Sequence, residues 1–417
     1  MTTFLKLIEK NPLKSTGASM LPIFQPGDWL YFKKVGYRNL KVDDIALVRT
    51  RFHSYFVHRI LYKSKKYAVT KGDNNLFTDG KINPKRIIAK VIKIKRDNNI
   101  LSPTSLYLVQ SSYYLNEIIK IKDEFDRNQI KYVFLKGLPI HLYYEKSHPK
   151  RVYADCDILI DETDAARAKA ILRAKGYRSV GEPLIKTLKK TNHPEVSYQK
   201  SLRGFPVNFD IHTEAVFLMT QLGKLNSLYP QKLVKKLTQE LLHNKKTVKI
   251  DGHSYKILDN RYLILYLLLH FFHHNYKGIF RLELISIVIK QSRLGKKDWE
   301  FLSKKINEYQ LSGYIYPALL LLRKYYNNEL PASFLRLIKK KPSVASEIVG
   351  SGSIFGVEDR MTSGINRFIN IFRLSESPTA IKLTVLLNPE IIFYVVFVLK
   401  ERLSRFLRGS SKNHQGH

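Results

Sequence analysis

VFLKGLPIHLYYEKSHPKRVYADCDILI, residues 133–160, decides how most of this chain folds. Its first residues, KYVFLKG from 131, form a short apolar run ending at Gly137, and PIHLYYEK after it has helical spacing. ADCDILID, residues 154–161, opens with two carboxylates and continues as an apolar strand. Side chains alternate between faces along a strand, so Asp155 and Asp157 point the same way. Two convergent carboxylates suit a hard divalent cation such as Mg²⁺, which takes oxygen ligands and keeps substrate phosphates in its shell. FPVNFDIHTE, residues 205–214, reads as another strand, and its Asp210 fits as a third carboxylate. Lys136 and Gly137, at a strand-to-helix turn, bring a cation and backbone amides towards phosphate. Arg151 adds charge-assisted contacts.

Outward from this core the texture holds. Helical spacing covers residues 107–130 and again TDAARAKAILRAKGY, residues 163–177. An α+β region therefore runs from 106 to 258, and a mostly helical region from 259 to 405. YLILYLLLHFF (262–272) is too short to span a bilayer and reads as a buried helix. IIFYVVFVL (391–399), followed by KERLSRFLR, has the apolar-then-basic order of an interfacial helix, with a packed core helix as the competing reading. His270 and His274 share a helix face with His273 nearby. No carboxylate stands in the order a zinc-binding helix requires, so a structural role is expected for them.

Residues 1–100 are different. WLYFKKV, IALVRT, YFVHRIL, KYAVTK and IIAKVIKIK are β-like runs separated by polar turns, an all-β unit. DNNILSPTS (97–105) reads as a linker to the α+β region. Near the start, GASMLPIFQPGDW (17–29) presents Ser19. A serine hydroxyl is a weak nucleophile until a base takes its proton and a third group orients that base. His58 in VHRI is a natural base, and Asp79 or Asp73 could hold its ring. Lys71 and Lys66 are rival bases, and His53 is a lone nearby imidazole.

Bulk properties narrow the classes. A length of 417 residues suggests two or three domains. A net charge of +36 attracts polyanions: nucleotide phosphates, an anionic membrane face or nucleic acid. Cys156 is the single cysteine, so no intramolecular disulfide forms, as befits a reducing compartment. The first residues lack a secretory signal's apolar core, and no run of 18 apolar residues occurs. The polar tail GSSKNHQGH is expected to be disordered.

Gly17-Ala18-Ser19-Met20-Leu21-Pro22, Gly27-Asp28, His58-Arg59-Ile60, Lys71-Gly72-Asp73-Asn74-Asn75 and Asp79 resemble, in that order, the type I signal peptidase family. The likeness is to its archaeal and endoplasmic-reticulum branch, and it covers about residues 14–95. It implies a serine endopeptidase needing no cofactor, with Ser19 as nucleophile, His58 as general base, Asp79 orienting it and Asp73 structural. Those enzymes usually carry a membrane helix before the serine, whereas 18 largely polar residues precede it here. LKG…R…DCDILID…GY…FDIH resembles a little-characterised family of the nucleotidyltransferase superfamily, over about residues 106–400. This second likeness implies a Mg²⁺-dependent transfer from a nucleoside triphosphate. It makes Asp155, Asp157 and Asp210 metal ligands and places Lys136, Gly137 and Arg151 at the nucleotide, with at most one of the three histidines near it. Lys136-Gly137-Leu138 stands where many members of the superfamily have Gly-Ser.

The expectation is a bifunctional, multidomain protein. An all-β serine peptidase unit (1–100) precedes an α+β nucleotidyltransferase core (106–258) and its helical region (259–405). Its partners would be a peptide or leader peptide and a nucleoside triphosphate. Its place would be the cytoplasm, with peripheral contact at the inner, anionic face of the membrane. Two other classes compete: a self-cleaving, repressor-like regulator that binds nucleic acid, and a non-catalytic scaffold built from two retired enzymes. No helix-turn-helix precedes Ser19, which ranks the regulator lower.

Overall fold

The computed structural model describes residues 11–52, 54–75, 77–153, 155–180, 195–202, 204–215, 224–327, 330–338, 342–351, 354–356, 360–389, 391–392, 396 and 400. Two sheets organise the chain. The first is antiparallel and uses β1 (Leu13–Lys14), β2 (Trp29–Lys33), β3 (Ile45–Arg49), β4 (Tyr55–Lys63), β5 (Ala68–Lys71), β6 (Lys81–Ile82), β7 (Ile87–Arg96) and β8 (Asn99–Leu101). Their order is β1-β2-β7-β3-β4-β5-β6, with β8 paired to β7. The sheet's two faces cover separate apolar clusters, one around Phe24, Leu47 and Ile94, the other around Val48, Ile60 and Ala68. Over the described residues from 11 onward, the amino-terminal region is all-β, as expected.

The second sheet is mixed. It follows α1 (Pro103–Arg127) and contains β9 (Tyr132–Lys136), β10 (Asp155–Ile160), β11 (Arg178–Val180), β12 (Glu195–Leu202), β13 (Phe205–His212), β14 (Lys245–Ile250) and β15 (His253–Leu258). The order is β11-β12-β13-β10-β9-β15-β14. α2 (Leu138–Glu145), α3 (Ala165–Ala174) and α4 (Gln231–His243) connect these strands. Central β9 and β10 read YVFLK and DCDILI and are almost wholly buried, as strands covered on both faces must be. β10 runs parallel to β13 and antiparallel to β9.

Helices follow: α5 (Asn260–His273), α6 (Ile279–Ser292), α7 (Lys296–Glu308), α8 (Ser312–Tyr326), then Ala332–Leu337, Pro342–Ser351, Arg360–Leu374 and Thr379–Leu386. α5 is apolar on all sides and buried from Tyr262 to Phe272, so the core-helix reading of this stretch holds. Among the described residues no helix is long and apolar enough to cross a membrane. Most of the 391–408 segment and the tail after it lie outside the described residues.

One expectation needs correction. Residues 97–105 are not a linker. Asp97 takes a left-handed φ of 52°, which turns the chain so that β8 pairs back on β7. Ser102 then caps α1 by accepting from the Ser105 amide, with Pro103 in the first turn. α1 begins at Pro103 and ties the two sheets together. Its Leu106 and Tyr107 join the first sheet's core, while Tyr114 to Phe125 join the second's.

The tie has a polar centre. Arg59, fully buried on β4, clasps Asp73 twice, through Nε to Oδ1 at 2.7 Å and Nη2 to Oδ2 at 2.8 Å. Tyr107 of α1 donates its hydroxyl to Asp73 Oδ2 at 2.9 Å and lies 4.4 Å beneath the guanidinium. Arg59 also donates to the carbonyl of Lys150, in the segment before β10. Burial weighs against the charge of Arg59, but Tyr107 and Asp73 outweigh it and keep it protonated. Asp73 thus joins β4 to α1, and Arg59 carries the connection on to the segment before β10.

Candidate functional site

Strand β4 separates two sites. In register, Arg59 faces Lys71 of β5 and Ile60 faces Thr70. Even-numbered His58 and Ile60 therefore share one face with Thr70, while Arg59, Leu61 and Lys71 share the other.

On the first face the structure brings Ser19, His58 and Asp79 together. His58 Nε2 lies 3.0 Å from Ser19 Oγ and His58 Nδ1 lies 2.7 Å from Asp79 Oδ2. In the tautomer this geometry favours, Nδ1–H donates to Asp79 and Nε2 accepts from the serine hydroxyl. Thr70 Oγ1 also donates to Asp79 Oδ2, at 2.7 Å, which fixes the carboxylate. His58 is buried and Ser19 partly exposed. The serine's turn is clamped by the Gly72–Asn75 segment. Asn74 donates its amide to the Ser19 carbonyl at 2.8 Å and its side chain to the Ala18 carbonyl at 3.1 Å. A Cβ on Gly72 would stand 2.5 Å from the Ser19 carbonyl oxygen, so only glycine fits there. Lys71, the rival base, projects from the opposite face of the sheet. Lys66 is exposed in the turn between β4 and β5, and His53 lies outside the described residues.

On the second sheet, register alone builds a row of polar side chains. Asp157 of β10 stands opposite Asp210 of β13 on one side and Lys136 of β9 on the other. Asp155, two residues before Asp157, shares its face. One ligand atom from each of Asp155, Asp157 and Asp210 lies within 4.8 Å of the others. Lys136 Nζ sits 2.6 Å from Asp155 Oδ2 and 2.7 Å from Asp157 Oδ2. The second is an ion pair without hydrogen-bond alignment, and Asp157 Oδ2 is buried with no hydrogen-bond donor. Burial weighs against the Lys136 ammonium, but Asp155 and Asp157 outweigh it and its pKa rises.

His212, two residues past Asp210, places Nε2 2.9 Å from Asp157 Oδ1. Burial opposes the charge on Asp157; Lys136 and His212 hold its carboxyl below the usual range all the same. The reverse holds for Asp210, pushed up to about 6 by burial and by the Asp157 carboxylate. Repulsion within a carboxylate cluster whose centre, Asp157, is buried, relieved only in part by Lys136, is what an oxygen-loving divalent cation would remove. The residues present therefore fit Mg²⁺. Gly137 adopts a φ of 115°, and a Cβ there would lie 2.9 Å from Cys156 Cα, so the β9–α2 turn can pass against β10 only as glycine.

The cluster adjoins a cleft of about 420 Å³, which Asp155 borders and Asp157 and Asp210 do not. Lys136, Gly137, Arg151 and Asp155 line it, and so do residues the sequence did not single out for it: Lys71 and Arg59 from the first sheet, and Arg281 from α6. Arg151 holds Glu283 at 3.2 Å, and burial pushes the Glu283 carboxyl up to about 7. His270 lines the cleft, whereas His273 and His274 do not border it. Burial and then the Lys136 charge push His270 well below its ordinary range. His212 was within reach of sequence reasoning, since an i+2 neighbour of Asp210 must share its face. Lys71 and Arg281 carried no such signal.

A family model described as "Uncharacterised nucleotidyltransferase" matches residues 98–327. That span contains all three carboxylates, Lys136, Gly137, Arg151 and His212, and none of Ser19, His58 and Asp79. No curated protein matches the sequence. Among solved structures, an antigenic nucleotidyltransferase-like protein from Paracoccidioides brasiliensis is similar, at 17% identity over 57% of this chain and 95% of that one, with a TM-score of 0.33. The family match alone spans more than half the chain, and on it this protein belongs to the uncharacterised nucleotidyltransferase family.

Proposed function

We propose that the cleft transfers a nucleotidyl group from a nucleoside triphosphate to an acceptor hydroxyl, with a divalent cation held by Asp155, Asp157 and Asp210. The observation that carries this reading is the meeting of three carboxylates within 4.8 Å at the edge of a cation-lined cleft. Bound there, Mg²⁺ would supply charge neutralisation for the phosphates. The chain's own residues do the rest. His212 holds Asp157 in place, Lys136 balances the carboxylates, and Gly137 lets the backbone approach. In the reaction the acceptor oxygen bonds to the α-phosphorus, the α–β anhydride breaks, pyrophosphate leaves with the electron pair, and the hydroxyl proton passes to solvent. Nucleoside triphosphates labelled at the α-phosphorus, incubated with a cell extract as acceptor pool, test it. Label should reach an acceptor with Mg²⁺ and not with chelator. Undiminished transfer by Asp157→Asn would overturn the reading.

A second activity is favoured by one specific observation, the 3.0 Å and 2.7 Å contacts that string Ser19, His58 and Asp79 together. In this reading Ser19 attacks a peptide carbonyl, His58 takes its proton and returns it to the leaving amine, and Asp79 orients the ring. A fluorophosphonate probe should label the wild type and spare Ser19→Ala. Equal labelling of the two proteins would remove Ser19 as the nucleophile. The net charge of +36 also supports contact with an anionic membrane face at the carboxy-terminal end.

A further inference from the structure

The cleft is built by two parts of the chain, and one cation in it has no evident structural purpose. Lys136 is engaged by Asp155 and Asp157, Arg151 by Glu283, and Arg59 by Asp73. Lys71, half-buried at the end of β5, lines the same cleft and forms no ion pair among the described residues. It sits close enough to Arg281 to feel its charge, and Lys136 feels Arg281 too. Three cations from β5, β9 and α6 thus converge on one space. Burial, opposed by Asp73 and assisted by Arg281, lowers the pKa of Lys71. A half-buried ammonium beside a second cation is unfavourable unless an anion joins it. The volume of about 420 Å³ admits a nucleotide-sized ligand.

We infer that Lys71, carried by the amino-terminal sheet, is a phosphate ligand of the nucleotidyltransferase cleft, so that a polyphosphate bound there links the two halves of the chain. The inference rests on the nucleotide reading of the cleft and adds a ligand from outside the region the family match covers. The link has a physical route. Residues 71–75 are continuous: Lys71 faces the cleft, Asp73 is locked to Arg59, and Asn74 holds the carbonyl of Ser19. An anion that fixes Lys71 stiffens the segment on which the Ser19 turn rests.

Calorimetric titration of the full chain with ATP and with inorganic tripolyphosphate, each with Mg²⁺, tests this. Both ligands should bind the wild type. Lys71→Gln should weaken both about tenfold, the loss of one charge-assisted contact. Lys71→Arg should restore most of the affinity, and the exposed control Lys66→Gln should change nothing. Hydrogen exchange supplies a readout a packing role would not move. Tripolyphosphate should slow exchange across residues 72–75 in the wild type and not in Lys71→Gln. Wild-type affinity in Lys71→Gln, or exchange at 72–75 unaffected by ligand, would overturn the inference and leave the nucleotide reading standing. A wild type that binds neither ligand would overturn both.

Discussion

Asp210→Asn should make the protein more stable at neutral pH and unresponsive to Mg²⁺. In the folded chain the Asp210 carboxyl is raised from 3.8 to about 6, first by burial and then by Asp157. A carboxyl raised on folding binds its proton more tightly in the native state. Stability from this group is therefore complete below the unfolded value near 3.8, falls as pH rises, and is lost once pH passes about 6. The difference corresponds to about 3 kcal/mol at neutral pH. An amide cannot ionise, so Asp210→Asn should recover up to that amount at about pH 7.5 and nothing near pH 4. Mg²⁺ should act oppositely. It stabilises the wild type by linkage, about 2.7 kcal/mol at a hundred times its dissociation constant, and should leave the variant unmoved. Thermal denaturation of both proteins, with and without Mg²⁺, across this pH range reads all four quantities. A variant that melts with or below the wild type at pH 7.5 in chelator would refute the reasoning, because Asp210 would then carry no repulsion for a cation to relieve.

Asp73→Ala should destabilise the chain by about 3–5 kcal/mol, since it strands the fully buried Arg59 charge, and urea denaturation should show the fall. Gly137→Ala should lower the melting temperature through its strained φ and its clash with Cys156, while Gly176→Ala, which meets no neighbour, should act through φ strain alone and lower it less. Ser19→Ala and His58→Ala should each abolish peptide cleavage, and the double variant should be barely slower than either, as members of one catalytic unit are; full activity in His58→Ala would remove His58 as the base.

What the sequence determined by itself was local and periodic. Alternation on a strand put Asp155 beside Asp157, an apolar run followed by glycine marked the β9–α2 turn, and all-round hydrophobicity made α5 a core helix. The ordered motifs with Ser19, His58 and Asp79 were legible because each sits in a short stretch of its own. Their convergence followed from the family likeness and not from the residues themselves, since positions 39 and 21 apart meet only through the tertiary fold. Register was the decisive unknown. It set Asp210 and Lys136 on either side of Asp157, and a slip of one residue would have turned Asp210 away from the site. The residues read as a linker were misjudged for a related reason. Asp, Asn, Ser and Pro signal a turn and a helix cap as readily as a flexible joint, and only the packing of α1 against both sheets decides between them. Lys71 belonged to one motif in the sequence and faces another site in space. That placement comes from the opposite facing of adjacent residues on β4 and β5, which sets Ser19 and the cleft on opposite sides of a single sheet.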